Sequence, residues 1–130
     1  MSKSSTRKPT DAELSILQVL WEHGPSSVRQ VHDVLSRDRS FAYTTTLKFL
    51  QIMTDKGLVL REDQGRHHLY RARQPQKNTQ RRLLRELIDR AFGGSISGLV
   101  VQALSAKRAT PAELREIRRL LASLKEKDHE

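Results

Sequence analysis

Cysteine is absent from the 130 residues of this chain. Disulfide bonds, thiolate metal sites and cysteine nucleophiles are therefore excluded, and the composition fits a reducing compartment, so that a cytoplasmic location is expected. Long hydrophobic runs are absent as well, since no apolar stretch approaches the roughly 20 residues that a membrane-spanning helix requires. We therefore expect no segment to insert into a membrane.

The amino terminus has little apolar character. Residues 1–9, Met-Ser-Lys-Ser-Ser-Thr-Arg-Lys-Pro, lack the hydrophobic centre of a signal peptide. All of the charged side chains in this segment are basic. We predict a flexible basic tail that either adds non-specific attraction for phosphates or is simply solvated.

Residue groups suited to catalysis or metal binding are also missing. The five histidines are scattered, and no carboxylate stands near them at the spacing of metal ligands. The adjacent His67 and His68 would point to opposite faces of a strand, which disfavours one metal bound by both. Neither a nucleophile elbow nor a phosphate-binding glycine loop is present. We expect no catalytic residues, no metal and no cofactor, and the chain is not expected to be an enzyme.

Positive charge, by contrast, is abundant. The chain has 24 lysines and arginines against 15 aspartates and glutamates, a net charge of +9 and a pI of about 10.5. Such an excess favours a polyanionic partner, of which nucleic acid is the commonest. The composition alone also fits a merely basic soluble protein.

Two helices are predicted at the start of the chain. Thr10 and Glu13 have the spacing of a capping box at the beginning of the first, which Gly24-Pro25 would end. Either Ser26 or Ser27 would cap the second helix, whose valines and leucine turn inward.

Residues 40 to 71 carry the most informative pattern. Thr46, Phe49, Leu50 and Met53 recur at i, i+3, i+4 and i+7, so one face of a third helix would pack on the first two. Gly57 would end this helix. Two short basic strands then flank a turn at Asp63-Gln64-Gly65, which is the chemistry of a β-hairpin.

A helix of this size followed by a basic hairpin is typical of a winged helix-turn-helix. The helix would enter the major groove of double-stranded DNA, and the hairpin, or wing, would hold phosphates. On the helix, we predict DNA contacts at its polar start, namely Ala42, Tyr43, Thr44, Thr45 and Lys48. On the wing, we predict backbone contacts at Arg61, Arg66 and His67, although the carboxylate of Asp63 would repel phosphate and move the wing beside the duplex.

The second half of the chain predicts three more helices. The pattern breaks around residues 74–77, a helix starts at Asn78 or Thr79, and two further apolar helices follow Gly93-Gly94 and Thr110. Three short helices cannot bury so much aliphatic surface among themselves, so a second copy of the chain would complete this part. Packing on the first domain is the alternative. The predicted dimer contacts are Leu84, Leu87, Ile88, Leu99, Val100, Leu104, Ile117, Leu120, Leu121 and Leu124.

The predicted organisation is mainly α with a small β-hairpin. A tail covers residues 1–9, a winged-helix DNA-binding domain covers residues 10–74, and a three-helix dimerisation module covers residues 78–127. The ordered set of landmarks in these parts resembles the penicillinase repressor family of the BlaI, MecI and CopY type. The landmarks are the helix around Glu13 to Trp21, the start Tyr43-Thr44-Thr45-Thr46, Lys56-Gly57-Leu58-Val59, the wing ending at Tyr70, Gly93-Gly94 and Leu99-Val100.

The resemblance implies a homodimeric repressor that binds a palindromic operator in the promoter it silences. In the relatives that respond to β-lactams, a membrane sensor protease cuts an Asn-Phe bond in the C-terminal module. Gln102-Ala103 stands at the matching place here, so a different cut, a ligand or dilution would also explain release. The cysteine-rich metal motif of the copper-responsive relatives is missing.

Two other functions fit the same fold. The winged helix and helical module could dock on other proteins, and a non-specific DNA-binding protein would bind without preferring an operator.

Overall fold

The computed structural model describes residues 8–37 and 40–128 and divides into two compact units, one ending at Leu84 and the other beginning at Arg85. Its elements confirm the mainly α class with one two-stranded antiparallel hairpin. Among the described residues, no helix has the length and apolar character needed to span a bilayer. In chain order the elements are α1 (Asp11–His23), α2 (Val28–Leu35), α3 (Tyr43–Lys56), β1 (Val59–Gln64), β2 (His67–Ala72), α4 (Gln76–Ala91), α5 (Ile96–Ala106) and α6 (Pro111–Asp128).

Two capping boxes define where α1 and α2 begin. At α1, the hydroxyl of Thr10 accepts a hydrogen bond from the backbone of Glu13, whose carboxylate accepts one from the backbone of Thr10. Ser27 and Gln30 make the same reciprocal pair at α2, so Ser27 and not Ser26 is the cap. These boxes satisfy backbone N–H groups that would otherwise lack partners at the helix starts.

Ser26 has a different role, which the sequence pattern did not indicate. Its backbone N–H donates to the carbonyl of Tyr70 over 2.9 Å, and the N–H of Tyr70 donates back over 2.8 Å. The connection between α1 and α2 therefore pairs with β2 and fixes the hairpin against the helices. Both Ser26 and Tyr70 are buried.

The turn of the hairpin lies one residue further along than predicted. The register pairs Gln64 with His67, so Gly65 and Arg66 form a two-residue turn and Asp63 lies within β1. Gly65 has φ 62°, a backbone conformation that glycine adopts without strain. The expected tip at Asp63-Gln64-Gly65 is therefore wrong, because cross-strand pairing continues through Asp63 and Gln64.

One hydrophobic core holds α1, α2, α3 and the hairpin together. Thr46, Leu50 and Met53 of α3 are buried and Phe49 is partly buried, which confirms the predicted inward face. Gly57 ends α3 in the left-handed conformation, with φ 78° and ψ 17°. The buried apolar side chains are Ile16, Leu17, Val19, Leu20, Val28, Val31, Leu35, Leu50, Met53, Val59 and Tyr70.

The fourth helix begins earlier than predicted, at Gln76 and not at Asn78 or Thr79. The backbone N–H of Asn78 already donates to the carbonyl of Pro75 over 3.0 Å, so the helical hydrogen bonds start there. The first turns contain only polar residues, and for that reason apolar periodicity did not reveal them. Just before this helix, Trp21 Nε1 donates to the carbonyl of Gln74 over 3.0 Å and holds the end of the hairpin to α1.

The predicted tail lies only partly within the described residues. Residues 1–7 lie outside the described ranges. Pro9, which the prediction placed at the end of the tail, is buried and lines one cavity together with Leu17 and Leu58. Packing in the first unit therefore includes a residue before Thr10.

The second unit has a different character from the first. Between Arg85 and Asp128, no described residue is buried, and α5 and α6 make only sparse contacts with each other. Thr110 and Glu113 form a capping box at the start of α6, which follows Thr110 as predicted. The hydrogen bonds from Thr110 lower the pKa of Glu113 below its ordinary value. The helices of this unit are thus well defined one by one, but they do not enclose a core.

Candidate nucleic-acid interface

The start of α3 presents a polar surface, as its sequence predicted. Ala42, Tyr43, Thr44 and Lys48 are exposed, while Thr45 is half-buried. The division follows the helical period, because Thr46 and Leu50 on the opposite face are fully buried in the core. The structure therefore places the five predicted contact residues on one end of one helix, with Thr45 less accessible than expected.

The first turn of α3 has no side-chain cap. Ala42 occupies the N-cap position and its side chain offers no acceptor. The hydrogen bonds that do form run from the backbone N–H groups of Thr45 and Thr46 to the carbonyl of Ala42. The N–H groups of Tyr43 and Thr44 donate to no backbone carbonyl among the described residues, and the positive end of the helix dipole adds to their attraction for an anion.

Tyr43 is held in place by two side chains of α2. The guanidinium carbon of Arg29 lies over the Tyr43 ring, 4.8 Å from its centroid. The ring of His32 meets Tyr43 edge-on, with 5.7 Å between centroids. His32 Nδ1 also lies 3.4 Å from the hydroxyl of the buried Thr46. The sequence patterns singled out neither Arg29 nor His32, because the signal lies in contacts between two helices and not in spacing along one.

The basic side chains of the hairpin divide into two groups. Arg61 Nε lies 3.3 Å from Asp63 Oδ1, and Arg71 Nε lies 2.5 Å from Glu62 Oε1. His68 Nδ1 also lies 2.5 Å from Asp63 Oδ1. These three bases therefore already have carboxylate partners. The charge of Asp63, which was expected to repel phosphate, is offset by Arg61 and by His68 when that ring is protonated.

Arg66 and His67 form the second group. They occupy the turn and the first residue of β2, both are exposed, and neither makes an ion pair or side-chain hydrogen bond among the described residues. Of the three predicted wing residues, Arg66 and His67 are thus free to meet a ligand, whereas Arg61 would first have to leave Asp63.

The first turns of α4 lie near the opposite end of α3. Asn78, Thr79 and Leu83 of α4 line one cavity with Gly57 and Leu58, which follow the last turn of α3. A helix of the length of α3 separates that end from Tyr43 by about 20 Å. The first turns of α4 are therefore unsuited to contact the same stretch of a ligand as Tyr43 and Lys48.

The sequence model of the penicillinase repressor family matches residues 9–123. The chain belongs to the penicillinase repressor family. This confirms the resemblance drawn from the sequence landmarks. The family is one of repressors and not of enzymes, in agreement with the expectation for this chain.

Individual family members show both local and extended similarity. The transcriptional regulator BlaI of Mycobacterium tuberculosis is 43% identical over 61 residues, a segment that covers 46% of this chain and 44% of that protein. The match thus spans less than half of that relative's length. The penicillinase repressor of Bacillus licheniformis is 22% identical over 121 residues, which cover 93% of this chain and 94% of that repressor.

A solved structure supports the fold beyond the family. A MarR family protein from Bacillus stearothermophilus superposes with a TM-score of 0.51 at 20% sequence identity, and the match covers 97% of this chain and 79% of that one. At this identity the likeness concerns the fold alone. The winged-helix architecture predicted from residues 40 to 71 is confirmed.

Proposed function

We propose that this penicillinase repressor family member is a homodimeric repressor of transcription that binds an operator in double-stranded DNA. In each protomer, α3 enters the major groove and the hairpin contacts the phosphate backbone. Repression follows because the bound dimer occludes the promoter from RNA polymerase. The proposal gives the winged helix the task of recognition and the C-terminal helices the task of pairing two such domains.

The observation that carries the proposal is the outward face at the start of α3. Thr44 and Lys48 project from a helix whose other face is locked into the core by Leu50 and Met53. Threonine hydroxyls and methyl groups and a lysine ammonium are suited to the edges of bases in the major groove. The backbone N–H groups of Tyr43 and Thr44, which have no backbone acceptor among the described residues, add an anchor for a DNA phosphate.

The wing supplies affinity without sequence information. Arg66 and His67 stand at its tip and form no ion pair with any described residue, so contact with phosphate requires no such pair to break. The net charge of +9 attracts the duplex over a longer range.

The second unit supports the dimer. Leu120, Leu121 and Leu124 of α6 are 59%, 60% and 50% exposed, and Ile96 and Val101 of α5 are 67% and 61% exposed. An exposed aliphatic surface of this extent on a soluble domain marks an interface, and a second copy offers the same surface in return. Ile96 and Val101 are more exposed than any residue in the predicted contact set, so we add them to it.

The site that matches the family's cleavage point also bears on release. Gln102 and Ala103 lie inside α5, where the backbone is hydrogen-bonded as a helix. A protease that binds its substrate in an extended form would need this helix to open first. Release by proteolysis would therefore depend on the local stability of α5 as well as on the residues at the bond.

A selection from random DNA duplexes tests the proposal. Full-length protein is mixed with a random pool, bound duplexes are recovered over several rounds, and the enriched sequences are determined. We expect an inverted repeat whose half-sites are separated by a whole number of helical turns. Enrichment without any common motif would instead identify a non-specific binder, and failure to bind duplex at low salt would favour docking on other proteins.

A further inference from the structure

The contact between Arg29 and Tyr43 joins α2 to the start of α3 at the proposed DNA surface. We propose that Arg29 is a further DNA-contact residue, and that Tyr43 holds its guanidinium in position to bind one backbone phosphate beside α3. This inference rests on the proposed function, because it assigns another residue to the same interface.

The charge of Arg29 is available for a ligand. Its side chain is exposed, and among residues 8–37 and 40–128 no carboxylate forms an ion pair with it. Arg61 and Arg71 on the hairpin differ in this respect, since each already contacts a carboxylate. Within the described part of the chain, the specific contact of the Arg29 side chain is with an aromatic ring, that of Tyr43.

An aromatic ring is a support that leaves a guanidinium free to bind. The cation is attracted to the negative face of the ring, and the N–H donors at its edges still point outward. Two of those donors match two oxygens of a phosphate group. A carboxylate partner would instead have occupied the same edges, so the stack with Tyr43 orients Arg29 without consuming its donors.

The ring itself is well placed to give this support. His32 packs against Tyr43 from the side and is tied to Thr46 through its Nδ1 atom. Because Thr46 is buried in the core, the ring is positioned by the fold and not only by the arginine. Tyr43 still keeps 39% of its surface exposed, so a duplex can approach the pair.

The position of Arg29 also suits the geometry of a helix-turn-helix. In such a pair the second helix lies in the groove, and the first crosses the DNA backbone. Arg29 is in the first turn of α2 and reaches the first turn of α3. In the proposed docking, it therefore lies where the two helices would meet the DNA backbone. Contacts of this kind position a protein on the duplex and carry no base information.

Salt dependence of binding provides the test. Wild-type protein and the variants Arg29→Ala, Arg29→Lys, Tyr43→Phe and Tyr43→Leu are titrated into a duplex selected by the wild type and into a scrambled duplex, at several salt concentrations. One phosphate contact contributes about −0.9 to the slope of log affinity against log salt, which corresponds to about eightfold in affinity between 1 M and 0.1 M salt. For Arg29→Ala, the slope should be smaller in magnitude by about 0.9 on both duplexes.

The remaining variants separate contact from mere charge. Tyr43→Phe keeps the ring and should leave the contribution of Arg29 in place. Tyr43→Leu removes the support, so adding Arg29→Ala to it should cost less than Arg29→Ala costs alone. Arg29→Lys keeps the charge but loses the flat, two-point donor, and it should fall between wild type and Arg29→Ala.

Several outcomes would overturn the inference. An unchanged slope for Arg29→Ala would do so, as would wild-type affinity for DNA in Arg29→Lys. Strict additivity of the losses in DNA affinity caused by Tyr43→Leu and Arg29→Ala would also do so. Arg81→Ala is the matched control, because it removes one exposed charge from α4, away from Tyr43, and should leave the slope unchanged. If wild type itself binds neither duplex, the proposed function fails; if it binds and only the Arg29 effect is missing, the function stands and this inference fails.

Discussion

Glu13 and Lys56 form an ion pair that connects the first turn of α1 to the last turn of α3. Lys56 Nζ lies 2.8 Å from one oxygen of Glu13 and 3.0 Å from the other, and the side chain of Glu13 is only 2% exposed. The same carboxylate accepts the backbone N–H of Thr10. One buried group therefore caps α1 and holds the end of the helix that we propose to enter DNA.

Replacing Glu13 with glutamine should destabilise the protein. The amide can still accept from Thr10, but it loses the charge-assisted bonds to Lys56, which together are worth about 1.5–3 kcal/mol. Lys56→Met should cost more, about 3–5 kcal/mol, because it leaves the carboxylate buried without a cation. Urea unfolding at neutral pH measures both values. Glu22→Gln, an exposed change on the same helix, should shift the free energy of unfolding by less than about 0.5 kcal/mol.

The same pair predicts how stability depends on pH. Burial raises the pKa of Glu13, but the hydrogen bonds from Lys56 and from the backbone of Thr10 outweigh burial and hold the pKa below its ordinary value of 4.5. A group with a lowered folded pKa stabilises the fold above its unfolded pKa, and that contribution disappears as pH falls through the folded value. The difference in stability between wild type and Glu13→Gln should therefore be constant near pH 7 and shrink below about pH 4.5. A difference that grew in acid would contradict the assignment.

Replacing Lys48 with alanine should alter recognition and not stability. Lys48 is exposed and has no carboxylate partner among the described residues, so the fold does not depend on it. On a selected operator the loss should be about 1–3 kcal/mol, and a repeated selection should show one position with a relaxed base preference. Lys77→Ala on α4 removes an equal charge and should leave the preferred sequence intact. An unchanged motif for Lys48→Ala would mean that α3 is not oriented as proposed.

How far the sequence could predict these features depends on the kind of interaction involved. Helix starts such as Thr10 with Glu13 follow from residues three apart, and the inward face of α3 follows from the 3.6-residue period, so both could be predicted. The pairing of Ser26 with Tyr70 could not, because backbone hydrogen bonds across 44 positions leave no local pattern. The contact of Arg29 with Tyr43 could not be predicted either, because it depends on how two helices cross.

The hairpin gives a prediction with an internal comparison. Arg66→Ala should weaken binding to all duplexes alike and reduce the salt slope by about 0.9, because Arg66 is free to contact phosphate. Arg61→Ala should have a smaller effect, since Arg61 is engaged with Asp63. Asp63→Asn should increase affinity, because it removes a negative charge from the wing and frees Arg61. Salt titrations with one scrambled duplex measure all three.

Equal effects of Arg66→Ala and Arg61→Ala would show that the ion pair with Asp63 does not persist at the DNA surface. No effect of either would remove the wing from the interface. Gln64→Ala, beside the turn and without charge, serves as the control for the local change in side chain.

The exposed aliphatic face of α6 should decide the oligomeric state. Leu121 is 60% exposed and lies on the face that we propose a second copy covers. Placing a carboxylate there, as in Leu121→Glu, would bury an unpaired charge in the interface, which is costly enough to favour separated protomers. We expect a dimer for wild type and a monomer for this variant in sedimentation velocity at micromolar concentration.

The same substitution should weaken operator binding strongly while leaving the winged helix folded. In a dimer, binding of one half-site brings the second winged helix to the other half-site at high effective concentration. A monomer loses this gain in operator affinity, which is on the order of 10² or more. The near-ultraviolet circular dichroism of Trp21 should stay unchanged, because Trp21 belongs to the first unit and donates a hydrogen bond to Gln74. Ser123→Glu, on the same helix but outside the leucine set, is the matched control. A dimeric Leu121→Glu variant with wild-type operator affinity would show that α6 does not join the two protomers.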